Sequence, residues 1–409
     1  MLACYSKGTS RTGVIKYNQD HTCPLKIGIE QDDTRSKFAV TKAGFYFVSL
    51  SATTEHYGNN GVHLKIEKKG RIGETSNLAS PMLDHEAESG DGYSGGGVVT
   101  GVAVSFLERG DSVETHVSDA LGGSRLTEAQ IMMFKLPDQT RYVVCEKEEE
   151  QDGEGLITFD GGCEKSSITV ERNNSFTVTK GGTYYLCLEA EVERGGYFRS
   201  CLIRSHRTEY VYTSIESYHT RLSNYTGQGT VVNCRAARIT QGDKLGAHIT
   251  KNDGSKLKKA RFMMFGLKSH YLSAYNILRQ DKRGPVTFNA CSKSGIDEGG
   301  ANCRGWNIKA KRFTVTYPGK YYISLAAYTD HVNGGLVKLA VVKNDQASLL
   351  ELENDHEDHH KNAGFSGAGT VFRDTISELN EHDQIEVLVT EVEEPSTLTQ
   401  CKINMFFLH

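Results

Sequence analysis

The stretch "KYYISLAAYTDH" at 320–331 alternates two residue sets, Tyr321, Ile323 and Leu325 against Tyr322, Ser324 and Ala326. Successive side chains of a strand point to opposite faces, so the spacing predicts a strand with Tyr321, Ile323 and Leu325 on a core. "GVAVSFLERGD" at 101–111 and "DQIEVLVTEVEE" at 383–394 alternate in the same way. Strand-length runs are broken by glycine or Asn/Asp clusters about every 8–12 residues, the punctuation of an all-β sandwich. No segment sustains the 3.6-residue period of an amphipathic helix.

The pattern itself recurs. "FAVTKAGFYFV" (38–48), "FTVTKGGTYYL" (176–186) and "FTVTYPGKYYI" (313–323) open on Phe38, Phe176 and Phe313, which stand 138 and 137 residues apart. "SGGGVV" (94–99), "TGQGTV" (226–231) and "SGAGTV" (366–371) follow. Then come Asp111, Asp243 and Asp383, and then closing runs that end at Leu136, Leu267 and Leu408. Four landmarks in one order, three times over, define tandem units at 1–138, 139–269 and 270–409. Within the first landmark, Ala43, Gly181 or Pro318 precedes Gly44, Gly182 or Gly319. A type II turn takes such a pair, so a hairpin is predicted there, and the tyrosines beyond it are read as core.

Composition narrows the class. The 42 glycines have no three-residue period, which excludes a collagen stalk. Lys plus Arg total 47 against 51 Asp plus Glu, a net charge of −4 that gives no reason to expect nucleic acid. No apolar run approaches the ~20 residues of a spanning helix, so no membrane insertion is expected. The opening "MLACYSKGTS" shows no apolar signal core. Ten cysteines fall two, five and three to a unit, without a CxxC, so full pairing requires a bond between units. Local pairs such as Cys4–Cys23, Cys145–Cys163 and Cys291–Cys303 are open to the chain, and spacing does not decide among them. The cysteine count and the sequons at Asn173 and Asn224 favour oxidised secretion.

The order F-x-V-x-x-x-G-x-Y-x-x-x-L, S-G-x-G-x-V, G-D-x-V and M-F-x-L resembles the globular head of the C1q and tumour-necrosis-factor superfamily. "SGGGVVTGVAVSFLERGDSVETHV", with "ITFDGG" at 157–162 and "VTFNAC" at 286–291, looks more like the C1q branch. The resemblance covers the whole chain, once per unit. It departs in unit 1, which lacks a clear "TFD" strand, and in unit 3, where His382 replaces Gly110 and Gly242. It implies three ten-stranded jelly rolls and, because such heads form tight threefold trimers, an intramolecular pseudo-trimer. The short links from Leu136 to Val143 and from Leu267 to Tyr275 suit that arrangement. Unit 2 carries net positive charge and the others net negative, an inequality that would order the units around an axis. The resemblance also suggests calcium or another divalent metal, near the axis or in acidic loops, with about six to eight oxygens. No organic cofactor is expected.

Candidate chemistry gathers in loops. After the core strand stand Glu55–His56, Glu193–Arg194 and Asp330–His331, each before a glycine turn. An acid beside a base at three matched tips would bind sugars, other polar ligands or a cation, and the plainer reading is ordinary turn polarity. "HEDHH" at 356–360 matches the zinc-protease pattern, but its place before the SGxG strand is a loop, not the helix that chemistry needs. Asp355, His356, Asp358, His359 and His360 are instead candidate metal ligands, set against the plainer reading of a solvated acidic loop. "GYSGG" at 92–96 is rejected as a nucleophile elbow because a strand-like run follows it. The basic run "KNDGSKLKKAR" at 251–261 reads as a solvated loop before an anion site.

A secreted, non-enzymatic recognition protein is therefore expected, lectin-like or serving innate immunity, with three joined heads for glycans or for cell-surface or matrix proteins. The alternatives are an adhesive mucus or glue component with metal-binding loops, and, more weakly, a receptor ligand of the tumour-necrosis-factor type.

Overall fold

The computed structural model describes residues 1–10, 12–17, 28–57, 61–83, 86–87, 94–120, 122–166, 168–171, 175–194, 196–204, 207–219, 225–267, 270–276, 278–288, 290–293, 306–307, 311–332, 335–356 and 366–408. The sequons at Asn173 and Asn224 lie outside them. The described residues form an all-β structure of antiparallel sheets, with no helix among them. No described helix is therefore long and apolar enough to cross a membrane.

The middle third illustrates the layering. One sheet runs Cys163–Ser166, Tyr142–Lys147, Lys256–Leu267, Gly182–Arg194 and Tyr225–Ile239. Facing it, Ile168–Val170, Phe176–Val178, Lys244–Asn252, Tyr197–Arg204 and Arg207–His219 form the second. In the last third the matching order is Ala290–Lys293, Tyr271–Asn276, Thr397–Leu408, Gly319–Val332 and Ser366–Leu379. The first third repeats it with Leu2–Ser10, Arg125–Lys135, Gly44–Tyr57 and Ser94–Leu107.

The strands that carry the SGxG landmark cross between thirds. Gly96 and Gly97 pair with Asp355 and Asn354 of the last third. Gly367, Ala368 and Gly369 pair with His219, Tyr218 and Ser217 of the middle third. Tyr225, Thr226 and Gly229 pair with Ala87, Glu86 and Leu83 of the first. First to last, last to middle, middle to first, the pairing closes into a ring.

Burial follows this plan. Among the described residues, one apolar core draws on Phe38, Tyr46 and Leu50, a second on Phe176, Tyr184 and Leu188, and a third on Tyr321, Leu325 and Met405. A fourth cluster takes residues from all three thirds, including Phe47, Tyr185 and Tyr322 and, behind them, Phe134, Phe265 and Phe406. Tyr321, Ile323 and Leu325 face their own core, and the alternate Tyr322 and Ala326 face the shared one. Period two thus divides two interiors here, rather than an interior from water. Aromatic side chains buried to this degree contribute roughly 1.5–3 kcal/mol each relative to exposure, which makes the shared cluster a principal bond between the thirds.

The predicted hairpin is not formed. Lys37–Val40 pairs with Ser112–Ala120, whereas Gly44–Tyr57 pairs with Ser94–Leu107 and Arg125–Lys135 in the opposing layer. The chain between them crosses from one sheet to the other, a gap of about 10 Å. Gly44 and Gly319 have φ of 153° and 144°, not the roughly +80° of a type II turn. A Cβ there would collide with the Lys135 side chain or the Phe407 ring. The landmark aspartates cap a different turn, in which Asp111, Asp243 and Asp383 accept the amides of Glu108, Thr240 and Asn380 at 2.8, 3.0 and 2.8 Å. The residue before each, Gly110, Gly242 or His382, has positive φ (93°, 84° and 72°), so His382 adopts the backbone that glycine takes elsewhere.

Two disulfides join residues directly opposite on neighbouring strands, Cys145–Cys163 and Cys187–Cys234. Cys4 is also disulfide-bonded, and Cys401 is a buried thiol whose pKa burial pushes up. Pairing of all ten cysteines is therefore not reached.

Candidate functional site

Each central strand continues past its core to an acid at matched position. Glu55 ends up opposite Arg125 in the ladder, and the Arg125 guanidinium donates to its carboxylate at 2.6 Å. Glu193 lies 2.5 Å from the Lys258 ammonium, which also reaches Glu150 at 2.6 Å. Asp330 lies 3.2 Å from Arg279, whose guanidinium donates to Thr397 at 2.9 Å. The hydrogen bond between Lys258 and Glu150 holds the ammonium pKa above its ordinary value and the carboxyl below. All three acids are about one-third exposed. Each tip therefore offers carboxylate acceptors beside charged N–H donors, a pairing that a polyol or an amide-rich surface can bridge.

The neighbouring bases are placed differently. His331 is 0% exposed, with Nε2 2.9 Å from Thr329 Oγ1 and Nδ1 3.2 Å from Ser396 Oγ. Burial pulls its pKa down to about 4, so the ring is neutral near pH 7. Asn354 donates to the same Thr329 hydroxyl at 2.7 Å. His331 thus braces the tip from within and presents no surface to a ligand, which corrects the sequence expectation for that residue. His56 and Arg194 sit at the ends of Gly44–Tyr57 and Gly182–Arg194. Their side chains lie outside the described set. Asp355 and His356 end Ala347–His356, with Asp355 opposite Leu336 and Gly96, and their side chains also lie outside it. Asp358, His359 and His360 are outside the described residues.

Deeper in, one carboxylate stands in the shared cluster. Asp374 is 1% exposed and accepts from Ser49 at 3.0 Å, Ser51 at 3.3 Å and Tyr322 at 2.8 Å. Burial pushes its carboxyl up to about 7 against these three hydroxyl donors. Tyr185 OH lies 2.9 Å from Tyr322 OH and 3.1 Å from Ser324 Oγ. Calcium does not fit these residues, because both carboxylate oxygens already accept hydroxyl hydrogen bonds and, among the described residues, no second acid stands beside them to complete the ligand shell. Among the described residues no group of three or more His, Cys, Asp and Glu side chains is arranged to hold a metal ion.

Sequence reasoning missed the cations that answer the tip acids. Arg279 and Glu150 stand one residue before Gln280 and Gln151, which bridge to Leu398 and Leu257, so the matching place holds opposite charges in two thirds. Aligning the units on their "GPVTF" and "GLITF" words would have exposed that swap. It also missed Asp374, which occupies the place of Val102 and Cys234 when the SGxG strands are aligned.

No family model matches the chain, and no curated protein matches it. Among solved structures, the chain is similar to the globular domain of zebrafish complement 1qA protein, with 15% identity over 33% of this chain and 95% of that one, at a TM-score of 0.24. It is also similar to the Eiger TNF from S. frugiperda, with 10% identity over 31% of this chain and 91% of that one, at a TM-score of 0.25.

Proposed function

We propose that the chain is a secreted, non-enzymatic recognition protein made of three tandem C1q-like jelly rolls, 1–138, 139–269 and 270–409, folded together as a pseudo-trimer. Its tips, around Glu55, Glu193 and Asp330, bind repeated polar ligands such as glycans on a cell or matrix surface. The observation that supports this reading is the closed ring of strand pairing, which links the three thirds whose central strands run out to acid–cation pairs. Three linked sites gain avidity from a repeated ligand without any new contact. The disulfides Cys145–Cys163 and Cys187–Cys234 fit an oxidising compartment.

The test is binding of the full chain to a glycan array and to immobilised matrix proteins, with and without EDTA. The triple substitution Glu55→Ala, Glu193→Ala, Asp330→Ala should abolish retention while leaving the melting temperature within a few degrees. Retention unchanged by the triple substitution would refute the tip assignment. Metal-driven gelation without glycan binding would instead identify an adhesive matrix protein.

A further inference from the structure

The three closing strands, Arg125–Lys135, Lys256–Leu267 and Thr397–Leu408, finish side by side, and a cavity of about 340 Å³ opens there. Its inner wall is Phe134, Phe265 and Phe406, one ring from each third, with centroids 6.3, 6.0 and 6.3 Å apart and edges turned to faces. Leu267 lines the side and is only partly buried. The rim carries Lys42, Lys135 and Asp138. Asp138 is committed to Lys135 at 2.8 Å, whereas Lys42 is exposed and has no acidic partner among the described residues.

We infer that this cavity binds a small amphipathic anion, a carboxylate carrying an unbranched apolar tail. The volume lies near the lower end of the ~300–1,000 Å³ typical of ligand pockets, enough for one chain of medium length. An apolar tail would displace water from Pro137, Leu267 and Phe407, the more accessible apolar linings, one from each third, over the buried phenylalanine floor. The head group would meet Lys42, a rim cation that has no acidic partner among the described residues. A cation would meet a net positive rim, and a glycan would leave its hydroxyls unpaired against phenylalanine. Because the ligand would touch all three thirds, its binding would stabilise the assembled ring. The inference does not depend on the tips.

The test uses the full chain with dodecanoate, and dodecanol as the neutral control, followed by calorimetric titration and thermal melting. Dodecanoate should bind saturably, once per chain, and raise the melting temperature. Lys42→Glu should weaken dodecanoate by about tenfold or more while leaving dodecanol nearly unchanged, as loss of a charge-assisted contact predicts. Leu267→Trp should fill the cavity and abolish binding of both, with the unliganded melting temperature preserved because residue 267 is only partly buried. Dodecanoate that fails to saturate, or that binds either variant as tightly as the native chain, overturns the inference. So does a Lys42→Glu variant that loses dodecanol as strongly as dodecanoate.

Discussion

On one side of the last third, Asp374 reaches the first third and accepts hydrogen bonds from Ser49 and Ser51, while Arg373 approaches Glu128 at 3.6 Å. On the other side, Asn404 and Lys402 reach the middle third. Asn404 donates to the Cys234 carbonyl at 3.0 Å and accepts from the Ala236 amide at 3.2 Å, and Lys402 donates to Asn233 at 3.3 Å. The seam between middle and first uses a third device. Glu189 accepts the Val102 amide at 2.8 Å and Arg261 donates to the Val102 carbonyl at 2.9 Å, so one residue is clamped at both backbone groups. Places that match in the fold hold Gln130, Arg261 and Lys402, and each meets a partner that the others lack. Three equal seams would permit any order of assembly. Unequal polar contacts penalise the wrong neighbour, because a buried group that meets no complement remains unpaired.

The largest effect is expected where the polar contacts are most complete. Asn404 is 0% exposed and uses all four of its hydrogen-bonding positions, with Ser273 and Ser324 as its other partners. The matching places in the other closing strands hold Met132 and Met263. Asn404→Met makes the three alike and leaves the Ala236 amide and Cys234 carbonyl without that partner. A loss of about 2–4 kcal/mol is expected in denaturant unfolding. A loss below about 1 kcal/mol would show that solvent replaces asparagine readily and that this seam is not discriminating.

These contacts show what the sequence could and could not disclose. Period two and the fourfold landmarks were enough for all-β sheets, because each rests on local rules. The same periodicity could not say that Tyr322 and Ser324 face a second interior. That interior exists only when three distant segments meet, and a buried serine reads in sequence as a solvent-facing one. The SGxG words were legible as strand, yet their use as the crossing between thirds needs the partner edges of Leu83, Asp355 and Ser217. His331 looked like a surface base because it follows an acid before a glycine turn, but Thr329 and Ser396 draw it inside. Asp374 departs from Val102 and Cys234 at the matching place, so the oddity was visible. Two of the three hydroxyls that satisfy it, those of Ser49 and Ser51, lie 325 and 323 residues away in the chain.

A second comparison separates the two sides of the last third by pH. Burial raises the Asp374 carboxyl from its ordinary 3.8 to about 7. The folded chain therefore holds a proton that the unfolded chain releases, and stability falls as pH rises from 3.8 to about 7. Lys402 moves the other way, drawn from 10.5 to about 7 by burial and by the nearby Arg235 cation. Its contribution is most adverse below about pH 7 and recovers as pH climbs towards 10.5. Asp374→Asn should thus gain on the native chain by about 3 kcal/mol between pH 4 and pH 8. Lys402 keeps some contact with solvent, so Lys402→Met should gain only about 1 kcal/mol at pH 6, a gain that fades towards pH 10. His331, lowered from 6.5 to about 4, destabilises native and variant chains alike as pH falls from 6.5 to about 4, and so cancels in these differences. Parallel pH profiles for native and Asp374→Asn chains would remove the acid from the seam's energetics.

The smallest effect belongs to the tips, and its smallness is what distinguishes a binding surface from a seam. Arg125 and Glu55 have side chains 41% and 37% exposed, so water already solvates both charges. Their attraction is screened, and holding two long side chains together costs rotamer freedom. Arg125→Ala should therefore change stability by less than about 1 kcal/mol, and less still in high salt. It should nevertheless remove the guanidinium that faces the Glu55 carboxylate and alter whatever the first tip retains, so binding and melting ought to respond to different substitutions. A loss of several degrees in melting temperature, with retention on the array unchanged, would transfer this pair from the recognition surface to the scaffold. The pairs Lys258–Glu193 and Arg279–Asp330 would then face the same question, because their acids hold the matching position although their cations come from different places.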